Sequence, residues 1–581
     1  MGDLQWIWRY AKRDKRKVFL GLLFILLNAG LVIVNPYVAG VIVDRVIYQG
    51  DAGLLLPILA VMIGTTLLRT IVRYSYQIIW EQVGQDTIYA LRGDLYQKLQ
   101  ELDFGFFNHT RVGDIMARMT GDTDAIRHFV SWVSYNVLEC VIWFVSAIIV
   151  MGTINLRLTL ALVAITPFIF ILTNRMARDA HPLFIEIRES FSRLNSMVEE
   201  NIGGNRVVKA FAQEAFEIEK FNHFNADFKQ RNLDLAGVSR KYLPLLDGLA
   251  GSLGMTVLVL GGFLVINSQM SLGELVAFNG YLWMLNNPLR MSGWLINDVQ
   301  RFSASCIKIR EMLNRKSEIP IGAAADIQQI KGDVEFRHVS FAFPDDPEKE
   351  ILADVSFTIK QGQTIGILGE TGSGKSTLVN LVGRFYDPTA GTVLIDGKDI
   401  KTYPVRQLRE KISMVMQDVF LFSNTIAENI SFGNPYADPE MIQQMAAIAD
   451  ADAFIHRMPE GYETLVGERG VGLSGGQKQR ISLARALTKD PAVLILDDTT
   501  SAVDMETEIK IQEKLTNLTQ QKTTFIIAHR ISSVRKADVI LMMEKGKIIE
   551  QGTHEELIAK RGKYFEVYQR QLGGAEENGS Q

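Results

Sequence analysis

Residues Val18 to Val43 carry no charged side chain. A helix of this stretch, at 1.5 Å per residue, is long enough to cross a hydrocarbon core of about 30 Å. In lipid every backbone N–H and C=O must find its partner within the segment, so the run is read as a membrane-spanning helix. Five further stretches are read as spans: Ala52 to Trp80, Phe129 to Gly152, Leu158 to Asn174, Tyr242 to Asn267 and Leu272 to Leu295. Of these, Ala52–Trp80 and Leu272–Leu295 are interrupted by charge at their cytoplasmic ends. Arg9, Lys12, Arg13, Lys15, Arg16 and Lys17 precede the first span, and the positive-inside rule puts them in the cytoplasm. Six spans then return the second half of the chain to the same side, with both termini cytoplasmic. The expected outer loops, near 44–51, 153–157 and 268–271, are short. The inner ones, 81–128 and 177–241, are long, charged and of helical period, so the spanning helices are expected to continue into the cytoplasm. The start has Trp6 where a myristoylation signal would have Ser or Thr and shows no cleavable-signal pattern, so the first span is expected to be retained.

The chain has 581 residues, 47% of them hydrophobic, and a net charge of −4. That balance lacks the basic field of a nucleic-acid binder, and no nucleic-acid partner is expected. Cys140 and Cys306 fall in no metal spacing and are too few for a disulfide framework, which suits a reducing compartment. Three charges fall where lipid is expected: Glu139, Asp247 and Arg290. Such groups line a cavity or pair with each other, and Glu139, at mid-span, is read as lining a transport cavity and favouring cationic substrates. Asn279, Asn286 and Asn287 give the sixth helix a polar face. Residues 1–313 are read as the transmembrane domain and 314–330, with Pro320 and a run of small residues, as a linker. Residues 331–572 alternate β-rich runs with helices and are read as a soluble α/β domain, and 573–581 as a disordered tail.

In the second half, "GILGETGSGKSTLVNL" carries the phosphate-loop pattern G-x-x-x-x-G-K-[ST] over Gly369, Glu370, Thr371, Gly372, Ser373, Gly374, Lys375, Ser376 and Thr377. It follows the apolar run "TIGIL" and precedes a helix-like segment, the context this motif requires. The glycines let backbone N–H groups turn inward around phosphates, Lys375 neutralises the outer phosphates, and Ser376 offers a hydroxyl to Mg²⁺. The apolar strand Val493 to Leu496 ends in two carboxylates, Asp497 and Asp498. In a phosphate-loop fold the first faces the loop and holds the magnesium shell through water. The second is positioned to orient or polarise the attacking water.

"VGLSGGQKQRISLARAL" contains Leu473, Ser474, Gly475, Gly476 and Gln477, which resemble the signature of the ATP-binding cassette family. The whole chain resembles a half-transporter of the type IV exporter group. That resemblance implies a helical six-span transmembrane domain followed by a RecA-like α/β cassette with a helical subdomain, and ATP with Mg²⁺ as its cofactors. It also implies roles for further residues: Phe343 stacks the adenine where Tyr is commoner, Gln417 is the Q-loop residue and a magnesium ligand, Glu468 belongs to a loop facing the membrane domain, Ser501 to Asp504 form the D-loop, and His529 is the switch histidine. "DFGFFNHTRVGDIMARMTGDTDAI" and "RVVKAFAQEAFEIEKF" resemble the intracellular loops whose short helices dock on cassettes.

The family usually has Glu after the Walker B aspartate, whereas this chain has Asp498. One methylene fewer withdraws the carboxylate by roughly 1 Å, and misplacement on that scale can cost about 10²-fold in rate. ATP binding should persist while hydrolysis at this chain's own site is impaired. The intact signature would serve a partner's competent site. This asymmetry resembles one subunit of a bacterial heterodimeric multidrug exporter, a multi-pass protein of the cell membrane that moves amphipathic compounds outward. Two other readings are a homodimeric lipid flippase, which would turn over ATP alone at an ordinary rate, and a nucleotide-gated channel or regulatory subunit. The sequence supplies no regulatory insertion between linker and cassette, which favours the pump.

Overall fold

A computed structural model describes residues 2–319, 330–499, 503, 505–519 and 522–577. The chain divides into two compact units, Met1–Gln100 with Thr110–Arg315, and Glu101–His109 with Lys316–Gln581. Among the described residues, the first unit is built on six long helices: α1 (Lys15–Val41), α2 (Leu55–Glu101), α3 (Ser134–Ile154), α4 (Leu156–Gly203), α5 (Glu214–Thr256) and α6 (Leu272–Asn314). The helical stretches Asp3–Tyr48, Ala52–Glu101, Val112–Ile154, Leu156–Gly203 and Glu214–Ile266 are long and apolar enough to cross a membrane, and they take in five of the six expected spans.

The sixth expected span falls on α6, which does not reach that hydropathy; Glu274, Asn279, Asn286, Asn287 and Arg290 hold it down. Packing supplies the reason. Ala277, Phe278, Tyr281, Met284 and Leu285 recur at helical spacing on α6 and are at most 2% exposed, packed with buried residues of α1, α3, α4 and α5. Asn286, Asn287 and Arg290 lie off that packed face and line a cavity, so the helix is apolar on one side and polar on the other. Its start is fixed by a capping box between Ser271 and Glu274 and by Asp44, which accepts from the Gly273 N–H at 2.7 Å. A Cβ on Gly273 would collide with the Gly40 carbonyl, so glycine is required where α1 and α6 touch. Helices α2 and α4 have 47 and 48 residues, about 70 Å of helix and more than twice a hydrocarbon core of about 30 Å. In the excess length α4 and α5 are joined by polar contacts: Ser190 donates to Asp227 at 2.6 Å, Asn201 to Glu217 at 2.6 Å, and Arg231 pairs with Glu186 at 2.6 Å.

Among the described residues, the second unit has two sheets. One is antiparallel, in the order β2 (Glu350–Ile359), β1 (Val334–Ala342), β4 (Ala390–Ile395) and β5 (Lys398–Asp399). The other runs β10 (Lys547–Gly552), β9 (Val539–Glu544), β3 (Thr364–Gly369), β8 (Thr523–Ile527), β7 (Val493–Asp497) and β6 (Ile412–Val415), with only β10 antiparallel. All five residues of β7 are buried, as expected of a parallel strand covered on both faces. Helices α7 (Lys375–Val382) and α8 (Gly475–Thr488) follow the two glycine-rich motifs. The inner end of α8 packs with Ile426, Ile430, Ile442 and Phe454 in a second, helical core.

The segment Glu101–His109 belongs to this unit and packs on it: Phe104 lies 4.5 Å from Phe385 between ring centroids, Asn108 donates to the Tyr386 hydroxyl at 2.7 Å, and Asp103 accepts from the Glu318 N–H at 2.6 Å. Of the expected linker 314–330, residues 320–329 lie outside the described residues. The last helix, Lys563–Glu577, enters the stretch read as a tail, and 578–581 lie outside the described residues.

Asp247 and Arg290 pair with each other, N to O 3.6 Å. Glu139 does not lie open to a cavity, contrary to the expectation. It is 4% exposed, and its Oε1 accepts from Asn28 Nδ2 at 2.8 Å and from the Tyr76 hydroxyl at 2.9 Å, tying α3 to α1 and α2. A buried carboxylate is tolerable only with such donors, and these two come from neighbouring helices of the packed bundle. Glu139→Ala should strand both donors at a cost of about 1–3 kcal/mol, read as a lower melting temperature in detergent. Glu139→Gln keeps an acceptor oxygen and should recover most of that loss; selective loss of cationic over neutral export in Glu139→Gln would contradict the structural role.

Candidate nucleotide-binding site

The parallel strands bring distant motifs to one edge. Register pairs Ile367 with Ile527, Asp497 with Ile527, and Val415 with Leu496, so the C-terminal ends of β3, β8, β7 and β6 are level. Just beyond those ends come the loop Glu370–Gly374, His529, Asp498 and the exposed Gln417. Ligands of open α/β sheets bind outside the carboxyl ends of the strands.

The phosphate loop turns on Gly372 and Gly374, at φ +83° and +96°. A Cβ on Gly374 would come within 2.9 Å of the Ile351 carbonyl, so both the backbone angle and the space call for glycine. Lys375 is 6% exposed, and its Nζ donates to the carbonyls of Gly369 and Glu370, both at 2.8 Å. These bonds curl the loop around the ammonium. Thr371 and Gly372 are exposed at its rim, while Ser376 and Thr377 are half-buried. Ser373 Oγ is buried without a hydrogen-bond partner, a donor that an anion held in the loop would satisfy.

Burial pulls the Lys375 ammonium below its ordinary pKa, and the Asp497 and Asp498 charges oppose that pull. Burial pushes the Asp497 carboxyl up; Asp498 adds to the push, while the hydrogen-bonding Ser376 hydroxyl, Lys375 and His529 work against it. The structure therefore brings Lys375, Ser376, Asp497, Asp498 and His529 within electrostatic reach of each other. A carboxyl held high in this way is short of positive charge. Ser376 and Asp497 present hard oxygen donors side by side, a set suited to magnesium. Asp498 lies at φ +48°, a left-handed conformation that Asp adopts more readily than most residues. Its carbonyl accepts from Gln479 Nε2 of α8 at 3.3 Å.

Ser474–Gln477 form the start of α8. Ser474 is the N-cap, and the capping box is completed by Gln477 Oε1, which accepts from the Ser474 N–H at 2.9 Å. The signature thus also serves as a helix start, leaving Ser474 and Gly475 exposed. Phe343 packs edge-on against Phe341 and Tyr386, with centroids 5.0 and 5.4 Å apart. Glu468 is exposed in a short turn. Of the D-loop, Ser501, Ala502 and Asp504 lie outside the described residues. Two contacts were missed by sequence reasoning: Tyr386, which touches both Phe343 and Asn108, and Gln479, which holds Asp498. The only local signal for Tyr386 is the aromatic pair before Asp387 and Pro388; Gln479 has none.

The model of the ABC transporter transmembrane region matches residues 18–289, and the ABC transporter model matches residues 352–501. In Bacillus subtilis (strain 168), an uncharacterized ABC transporter ATP-binding protein, YknU, is 39% identical over 562 residues, covering 96% of this chain and 95% of the relative. A putative multidrug export ATP-binding/permease protein of the same organism, YgaD, is 36% identical over 580 residues, covering 98% and 99%. A solved bacterial Atm1-family ABC exporter with ATP bound superposes with a TM-score of 0.80 at 27% identity, covering 96% of this chain and 98% of that one. The chain accordingly belongs to the ATP-binding cassette exporters, as a half-transporter that joins a transmembrane region to an ATP-binding domain.

Proposed function

We propose that this chain is the hydrolysis-impaired half of a heterodimeric multidrug-type exporter in a bacterial cell membrane. It has six spans, with α6 as the enclosed sixth, and both termini in the cytoplasm. The observation that carries the reading is Asp498. Its carboxylate stops one methylene short of the Glu usual in this family, which withdraws it by roughly 1 Å from the attacking water and can lower the rate about 10²-fold. The relative named for multidrug export, YgaD, supports the amphipathic substrate class.

Phe343 stacks the adenine of ATP, Gly369–Thr377 cradle its phosphates, and Lys375 neutralises the outer ones. Ser376, Gln417 and Asp497 would hold magnesium, which would supply charge neutralisation at the phosphates. His529, on the loop after β8, contacts the outer phosphate. Ser474, Gly475, Gly476 and Gln477 face outward, where they close the partner's site rather than this chain's own. The exposure of Ser474 and Gly475 at the start of a well-capped helix supports that role.

Three substitutions test the reading on the purified complex with one fixed partner. Lys375→Ala should weaken photolabelling of this chain by an azido-ATP analogue severalfold; undiminished labelling would remove the loop from the site. Asp498→Asn should lower the ATPase rate of the complex by less than about twofold, because a carboxylate already misplaced contributes little. Ser474→Arg should nearly abolish it by setting a bulky charge against the phosphate in the partner's site. The reverse order of these two effects would make this chain's own site the engine.

A further inference from the structure

A cavity of about 1000 Å³ opens in the first unit among α4, α5 and α6. Each of these helices carries a proline beside the lining: Pro182 follows His181, Pro244 follows Leu243, and Pro288 follows Asn287. A proline within a helix removes one backbone hydrogen bond, so each of the three helices has one carbonyl released from the intrahelical ladder near the cavity. Leu246, Met291 and Trp294 give the wall an apolar side.

The charged side is unbalanced. Arg178 and Arg290 line it against a single carboxylate, Asp247. The Arg290–Asp247 separation of 3.6 Å exceeds the roughly 2.7–2.9 Å of a charge-assisted hydrogen bond, and the two side chains are 60% and 64% exposed. Such a pair contributes little and leaves the guanidinium available. Arg178 makes no ion pair or hydrogen bond among the described residues. Its neighbour Asp179 is engaged elsewhere, accepting from the Tyr242 hydroxyl at 2.6 Å with Lys241 at 3.9 Å. The amide nitrogen of Asn287 donates to the Met291 sulfur, a weak acceptor, at 3.5 Å, which leaves it a donor for a ligand oxygen.

Given the reading of the chain as an exporter of amphipathic compounds, we propose that this cavity binds an amphipathic anion. Arg290 and Arg178 take its head, and Leu246, Met291 and Trp294 take its apolar part. A cation would find one carboxylate, Asp247, set against the two guanidinium charges of Arg178 and Arg290, so it is the disfavoured ligand. Headgroups of acidic lipids and soluble amphiphiles share the anionic chemistry.

The test is equilibrium binding, without nucleotide, to the purified protein in phosphatidylcholine nanodiscs. The probes are laurate and an alkyltrimethylammonium of the same chain length. Laurate should bind more tightly. Arg290→Gln should weaken laurate roughly tenfold, the worth of one charge-assisted hydrogen bond, without weakening the trimethylammonium probe. Asp247→Asn removes the competing carboxylate and should strengthen laurate binding, a gain that misfolding cannot produce. Phosphatidylglycerol added to the discs should compete with laurate if a lipid headgroup is the source, and should leave it unaffected if a soluble amphiphile is; either result keeps the site. Tighter binding of the trimethylammonium probe, or laurate binding indifferent to both substitutions, would overturn the proposal. Because no hydrolysis is measured, either result leaves the reading of the ATP site to its own test.

Discussion

Charge balance at the carboxyl edge of the parallel sheet governs the second unit. Lys375 is buried, and so is Asp497, with Asp498 beside it. Each charge is tolerable in that place only because the others are near. The β7 strand has to be buried on both faces to deliver the carboxylates there, and the glycine turn after β3 has to be tight to bring the lysine up to meet them. The fold of this unit is the means by which three charges from distant sequence positions share one small volume.

The first unit meets the same constraint in a different solvent. Glu139 is held by Asn28 and Tyr76, so its charge serves packing among α1, α2 and α3. Asp247 and Arg290 are only loosely paired and remain exposed to a cavity. Tightly bonded intramembrane charge therefore reads as structure, and loosely bonded charge as recognition.

The elements that meet at the candidate site are legible in the sequence where they are written in short, fixed spacings: Gly369 to Ser376, Ser474 to Gln477, and the apolar run into Asp497. Phase along the chain suffices for these. What could not be read were contacts set by tertiary approach. The partners of Glu139 lie 111 and 63 residues away, so a mid-span acid looked like a cavity residue until the packing was known. Gln479 and Tyr386 escaped for the same reason. Hydropathy does not mark α6 as a span because Asn279, Asn286, Asn287 and Arg290 lower its mean, and three of these four residues line a cavity that only the tertiary structure shows.

The central claim, that Asp498 marks one half of an unequal pair, is tested most directly by what purifies with the chain. A tagged chain isolated from its native membrane under gentle detergent should bring down one untagged half-transporter in equal amount, and mass spectrometry should find Glu after that partner's Walker B aspartate. Recovery of this chain with only its own copies, hydrolysing ATP at an ordinary rate, would contradict the account.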